Sequence, residues 1–458
     1  MRRFVPALLA FFGAAFVAAA IAIPLYLVPQ LKVVPLDLDI TSDAETVSPE
    51  GAAGDRFPAV IFDRCSVSED RARTLEAHLT QQRRSVIVEP SDSRQATVQS
   101  AQTVRIDRIR DADGQETEPS FAAAGETRTC SDGLLTATID RVSVNRKTSV
   151  PNGAVSSLQL EAVPEGGNVN DVSVPIDNRT GFQYKFGFDV QKRDYAYYDL
   201  NTRQDCAAKF QGEETIDGVK TYHFACDVPE TDLSNLPNAQ GEAALGTMLT
   251  MPAKWWGITG RGIRPDDPIT MHRYASATRH VWVEPVTGTI VDGREDQHQY
   301  FKSPDQSDAT PEPVREFRMD ALKGTFQWTD ETVANQSDKA KHYLNLLKVG
   351  GFWTPLILGI VGAILLILAA LLFFRGRRDD TAMAEGPGTD VPPADTAAPA
   401  GYRSAFEPRT TSLTKEDVPP AAPSANPWER PTEQIPRVED QPPADDSATR
   451  TFRKPPTE

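Results

Sequence analysis

Histidine and cysteine are scarce in this chain, six and four among 458 residues, and that scarcity narrows its chemistry. No Gly-x-Ser-x-Gly elbow, His-Glu-x-x-His pair or Gly-Lys-Ser loop occurs, so the common hydrolase, zinc-protease and nucleotide-binding signatures are missing. No Cys-x-x-Cys pair is present, which removes the usual structural zinc site. No catalytic residue, metal ligand or cofactor is expected, and the chain does not read as an enzyme. Basic residues are outnumbered, 48 against 64 acidic, for a formal charge of −16. Phosphate backbones need clustered Lys and Arg, so no nucleic-acid partner is expected.

Two long apolar runs stand out instead, Phe4–Val28 and Phe352–Phe374. Each exceeds the roughly 20 residues that cross a hydrocarbon core as a helix. Ala18, Ala19 and Ala20 offer small residues for signal cleavage, but the run continues through Ile21, Ile23, Leu25 and Val28 and reads as an uncleaved anchor. Arg2 and Arg3 precede the first run, and Arg375, Arg377 and Arg378 follow the second. Positive flanks stay on the cytoplasmic side, so both termini are expected inside the cytoplasmic membrane. The organisation then reads as a cytoplasmic N-terminus (1–3), a transmembrane signal anchor (4–28), an extracytoplasmic domain (29–351), a second transmembrane helix (352–374) and a tail (375–458). Pro, Ala, Thr, Glu and Asp dominate the tail, which buries too little apolar surface to fold and is expected to be disordered and cytoplasmic.

All four cysteines fall within 29–351. An even number outside the cytoplasm points to two disulfides, and four cysteines allow three pairings. The preferred pairs are Cys65–Cys130 and Cys206–Cys226, the second because an Asp217-Gly218 turn brings its two runs together.

The outer region is expected to be α+β and mainly β, a large antiparallel sheet or barrel-like domain between the two spans. Phe182, Tyr184, Phe186, Phe188 and Val190 alternate as a strand with one buried face would, and so do Tyr222, Phe224, Cys226 and Val228. Val142 and Val144 extend a run from Thr136, and Val281 and Val283 lead through a Thr287-Gly288 turn into Ile290 and Val291. Ser68 is placed to cap a helix through Ala72, Leu75 and Leu79, and Ser337 a second one through Leu344 and Leu347, forming a stalk onto the membrane. Thr41–Gly54 reads as a polar loop.

His272, His280 and His298 fall in one part of the chain, with Asp292, Glu295 and Asp296 near two of them, and His280 should approach 293–295 across the turn; a metal or acid/base site is conceivable there, but a polar sheet face, where such residues are ordinary, is the favoured reading. Asp194, Asp199 and Asp205 invite the same plain reading. Trp255 and Trp256, beside Lys254, are candidates for a membrane interface or a ligand groove, with two core residues as the alternative.

Tyr197-Tyr198-Asp199-Leu200-Asn201-Thr202-Arg203, Ile216-Asp217-Gly218-Val219-Lys220-Thr221-Tyr222-His223-Phe224 and Val281-Trp282-Val283-Glu284-Pro285-Val286-Thr287-Gly288 carry a resemblance. Together they resemble the actinobacterial porin PorA family, membrane proteins otherwise carried as a domain of unknown function, over residues 1–375. The resemblance implies a cell-envelope protein of mycolate-making bacteria. The two-span layout is also similar to class B scavenger receptors, whose β-rich ectodomain carries lipid. On that analogy the expected role is a non-enzymatic envelope protein that binds or transfers a lipid or lipoglycan. The alternative is a scaffold for envelope-synthesis enzymes whose tail recruits cytoplasmic partners. A pore assembled from two-helix subunits ranks last, because neither span carries a polar stripe.

Overall fold

Side-chain alternation becomes strand through most of the middle of the chain. The computed structural model describes residues 4–49, 54–123, 126–160, 168, 172–237 and 246–382, with the side chains of 376–382 excepted. Fifteen strands form one sheet among them. In the first half these are β1 (Asp39–Val47), β2 (Ala59–Phe62), β3 (Thr74–Val88), β4 (Gln95–Arg110), β5 (Glu116–Thr117), β6 (Leu134–Asn145), β7 (Pro151–Gln159) and β8 (Ser173–Pro175). The second half adds β9 (Tyr195–Asp199), β10 (Gln204–Ile216), β11 (Val219–Asp232), β12 (Met248–Pro252), β13 (Pro268–Val283), β14 (Ile290–Lys302) and β15 (Met319–Trp328).

The main path runs β8-β7-β6-β4-β3-β1-β15-β14-β13-β11-β10-β9, with antiparallel pairs throughout. The first and last strands therefore meet in the middle, β1 against β15. The path also curls. Leu158 and Val174, at one edge, share a buried cluster with Tyr198 and Leu200 at the other. Side chains, not a hydrogen-bonded ladder, join these edges. The mainly-β fold class expected from the sequence is what the structure has.

The hairpin between β10 and β11 turns on Asp217 and Gly218, both at positive φ (46° and 75°), the backbone that a tight two-residue hairpin demands. Gly288, at φ 71°, turns β13 into β14. A Cβ there would stand 2.3 Å from the carbonyl oxygens of Phe186 and Gly187, so only glycine fits. Both preferred disulfides are present, Cys65–Cys130 and Cys206–Cys226, with Cα atoms 4.9 and 6.0 Å apart.

Two helices, Phe4–Leu31 and Asp330–Arg375, are long and apolar enough to cross a membrane. They pack on each other through glycine. A Cβ on Gly362 would meet the Gly13 carbonyl at 2.8 Å and Val17 Cγ2 at 2.9 Å. Small residues let the two backbones touch, as membrane helices commonly do. Phe11, Leu25, Ile367 and Leu371 on their outer faces stay exposed.

Several local expectations change. Residues 64–79 hold a 3-10 turn, Arg64–Ser68, and then β3, not a helix from Ser68. Leu75 and Leu79 are four apart, a spacing that suits both periods, and Ala77 between them is fully buried, which decides for a strand. Thr41–Val47 lies in β1, whose inward Ser42, Ala44 and Thr46 are small because they face a crowded interior. Residues 50–53 of that expected loop lie outside the described residues. Phe182–Val190 is not a regular strand: Phe186, Asp189 and Val190 bond instead to the carbonyls of Gly288, Val286 and Pro285, strapping this segment across the β13–β14 turn. Its aromatics still enter the core, where Phe182, Phe186, Tyr195, Tyr197 and Phe224 stack and cross. The stalk helix exists but starts at a Thr329 cap, eight residues before Ser337, and continues into the C-terminal apolar helix. The tail beyond residue 382 lies outside the described residues.

Candidate functional site

Apolar residues do not fill the inside of the curled sheet. Arg279 on β13 faces inward, two residues before Val281 on the same face, and pairs in register with Glu295 on β14. Its guanidinium contacts Glu295 at 2.6 and 2.9 Å and Asp199, at the end of β9, at 2.6 and 2.7 Å. Asp199 is fully buried, and its other oxygen accepts from Thr202 N and Oγ1 at 2.6 and 2.8 Å. A second cluster lies near the opposite edge. Arg179 grips Asp140 of β6 through two bonds, 2.8 and 3.0 Å, and lies 4.1 Å from the Tyr198 ring centroid. Tyr184 donates its hydroxyl to the same carboxylate at 2.5 Å.

Burial opposes charge on both arginines, but Asp140 at Arg179, and Glu295 with Asp199 at Arg279, outweigh it and raise both above the ordinary arginine pKa. Burial pushes Glu295 upward despite Arg279. It also pushes the Tyr184 phenol upward, helped by Asp140. Three cavities touch Tyr184: one of about 60 Å³ beside Arg279 and Glu295, one of about 20 Å³ beside Arg179, and one of about 180 Å³ toward the stalk helix. The arrangement can hold water and charge inside the domain; nothing in it resembles a nucleophile with its base.

Asp292 on β14 sits close by with its pKa raised to about 6, chiefly by burial. A carboxyl whose folded pKa is raised binds a proton more readily when folded, so it costs stability as pH climbs from about 4 to 6. Asp292→Asn keeps the acceptor that Gly293 N and Gln327 Nε2 use at 2.7 and 2.9 Å. The variant should gain about 2–3 kcal/mol at pH 7.5 and nothing at pH 3.5 in urea denaturation; an equal gain at both pH values would sink this account.

Trp255 and Trp256 are core residues, 2% and 4% exposed. Their indole N–H groups donate to Ser66 O and Ile269 O at 3.0 and 3.1 Å, and Phe62 and Phe301 pack on the pair. They offer no face to a membrane or a ligand groove. The histidines disperse: His272 bonds Asp232, His298 bonds Asp320, and His280 contacts His223 at 3.0 Å. Among the described residues no three His, Cys, Asp or Glu side chains gather as a metal site. Of the charged interior, Asp199 and Glu295 were singled out in the sequence, but Arg279, Arg179 and Asp140 were not. The available signal was a charged residue on the inward phase of a strong strand, Arg279 ahead of Val281 and Val283.

The sequence profile described as Porin PorA matches residues 5–371. The chain belongs to the Porin PorA family. A relative called "Porin PorA" from Corynebacterium amycolatum is 31% identical over 406 residues, covering 80% of this chain and 98% of its own. Another of the same name, from Corynebacterium resistens, is 30% identical over 428 residues, covering 82% and 98%. The family resemblance read from the turn and strand motifs thus holds over nearly the whole length. The function inferred beside it does not. Relatives named as porins overturn the expected lipid or lipoglycan carrier and the scaffold alternative, and with them the expected lipid, lipoglycan and envelope-synthesis partners. A shared two-span layout does not fix what a domain carries. The PorA assignment suggests a membrane protein of the cell envelope.

Proposed function

We propose that this PorA-family chain is a subunit of an envelope channel that passes small polar solutes and performs no chemistry on them. The observation that carries this reading is the charged interior, Arg279 with Asp199 and Glu295 and Arg179 with Asp140, around cavities that converge on Tyr184. Barrel interiors that handle water and ions are polar in this way, and paired charges along a route set its selectivity. Tyr184 lines each of these cavities.

Both ends of the chain belong on the cytoplasmic side in this reading, with the sheet domain outside. The arginines flanking the apolar helices and the two disulfides support that orientation. The helix pair is closed at Gly13 and Gly362 and holds no lumen, so the membrane section of the route lies between copies. This reading, supported by the family match, takes up the multi-subunit pore that ranked last from the sequence.

Planar-bilayer recording on the purified full-length, disulfide-intact chain tests this. Discrete current steps whose frequency rises faster than linearly with protein concentration are expected. Inserted protein that carries no current would remove the channel reading, and a strictly linear dependence would remove the assembly.

A further inference from the structure

The cavity of about 180 Å³ between β1, β14 and the stalk helix has a lining unlike the rest of the interior. Its lining combines the apolar Leu38, Ile290 and Trp328 with the donors Lys185, Lys339 and Gln336. Gln336 is 1% exposed, and its Nε2 has no hydrogen-bond partner among the described residues. A buried donor in that condition costs free energy unless something accepts from it. The Lys185 ammonium donates to a neutral acceptor, the Thr287 carbonyl, and lies 4.7 Å from the Phe188 ring centroid, so among the described residues no carboxylate bonds to it. Lys339 Nζ likewise donates to a backbone carbonyl, Asp39 O, at 2.8 Å.

Of the lining carboxylates, Asp39 pairs with Arg84 at 2.9 Å and acts on Lys339 through space, and Asp37 is exposed. Glu284 acts on Lys185 only through space, less strongly than burial does. An open groove of about 650 Å³ shares Asp39, Lys339 and Tyr343 with the cavity.

We propose that this cavity binds a short-chain carboxylate, with its oxygens toward Lys185 and Gln336 and its alkyl part against Leu38, Ile290 and Trp328. Charged and amide donors with no charged acceptor select an anion, and the apolar wall selects an organic one over phosphate. Trp328 supplies the signal for the test. The full-length chain in detergent is titrated with sodium butyrate at pH 7, following tryptophan fluorescence, with isothermal calorimetry as the second readout. Saturable binding is expected, weakened about tenfold or more by Lys185→Met and several-fold by Gln336→Leu. Wild-type affinity should fall as pH rises through about 8, where Lys185, depressed by burial, loses its proton. If Lys185→Met does not fold, Gln336→Leu and the pH series carry the test. No saturation, unchanged affinity in the folded variants, or phosphate bound as tightly as butyrate would overturn the proposal. No bilayer is involved, so this result is independent of whether the chain conducts.

Discussion

Arg279→Met should destabilise the folded protein by about 3–5 kcal/mol at pH 7, the usual cost of stranding buried charge. The guanidinium bonds Asp199 and Glu295, which are 0% and 6% exposed, so the variant leaves two carboxylates facing each other inside the sheet. Arg279→Lys should recover only part of the loss, because one ammonium cannot reproduce the fork that reaches Asp199 through Nε and Glu295 through Nη1. The pH dependence separates this cause from lost packing. Without Arg279 both carboxyls bind a proton more tightly folded than unfolded. The variant's deficit should therefore shrink as pH falls toward 4. A cavity left by the missing side chain would cost the same at every pH. Urea midpoints at pH 4.5 and 7.5 decide between them, and a pH-independent deficit sinks the electrostatic account. Lys254→Met, which removes one partner of a pair that is 60% and 81% exposed, should change nothing measurable.

The same residues show how far sequence carries. Hairpins were legible where a turn dipeptide sat between alternating runs, as at Asp217-Gly218 and Thr287-Gly288, because the chemistry of the turn is local. The Cys206–Cys226 pairing followed from that turn. Leu75 and Leu79 misled because a four-residue spacing satisfies helix and strand alike, and only the buried Ala77 separates them. Trp255 and Trp256 misled for a different reason. Their burial depends on Phe62 and Phe301, brought in from strands far along the chain, and an interfacial tryptophan pair would have the same local sequence. Asp199 and Arg279 are 80 residues apart, on strands joined only through β10 and β11, so no window of sequence contains the pair. Asp199 and Glu295 were thus legible as single residues, but their pairing with Arg279 was not.

This interior also bears on how the helices and the sheet divide the work. The helix pair buries glycine against glycine and turns apolar side chains outward, which leaves it no polar surface to offer a solute. The sheet does the reverse, with paired charge inside. In the proposed channel, selection by charge would therefore fall to the sheet domain, with the helices as its anchor.

Removing the Cys65–Cys130 bridge should cost more than removing Cys206–Cys226, although the latter lies in the more regular part of the sheet. The first closes a loop across 65 residues of sequence and the second across 20. Constraint of the unfolded chain grows with the logarithm of that length, giving about 4 against about 3 kcal/mol. The local setting argues the same way. Cys65 belongs to the 3-10 turn capped by Asp63, and Cys130 to the segment between β5 and β6 that has no strand pairing. Asp132 accepts from Ala122 N and Leu134 N, Arg64 donates to Leu134 O at 3.1 Å, and Gly133 O accepts from Ile106 N of β4; without the bridge, the segment would rest on such isolated contacts. The β10–β11 ladder, by contrast, keeps its pairing from Lys209 to Ile216 without the sulfurs. Double serine variants of each pair, unfolded in urea in the same detergent, should therefore rank Cys65/Cys130 as the larger loss. The opposite ranking would mean that the Cys206–Cys226 bridge acts through the packing of Phe186 and Phe224 around it, and that chain entropy is not the controlling term here.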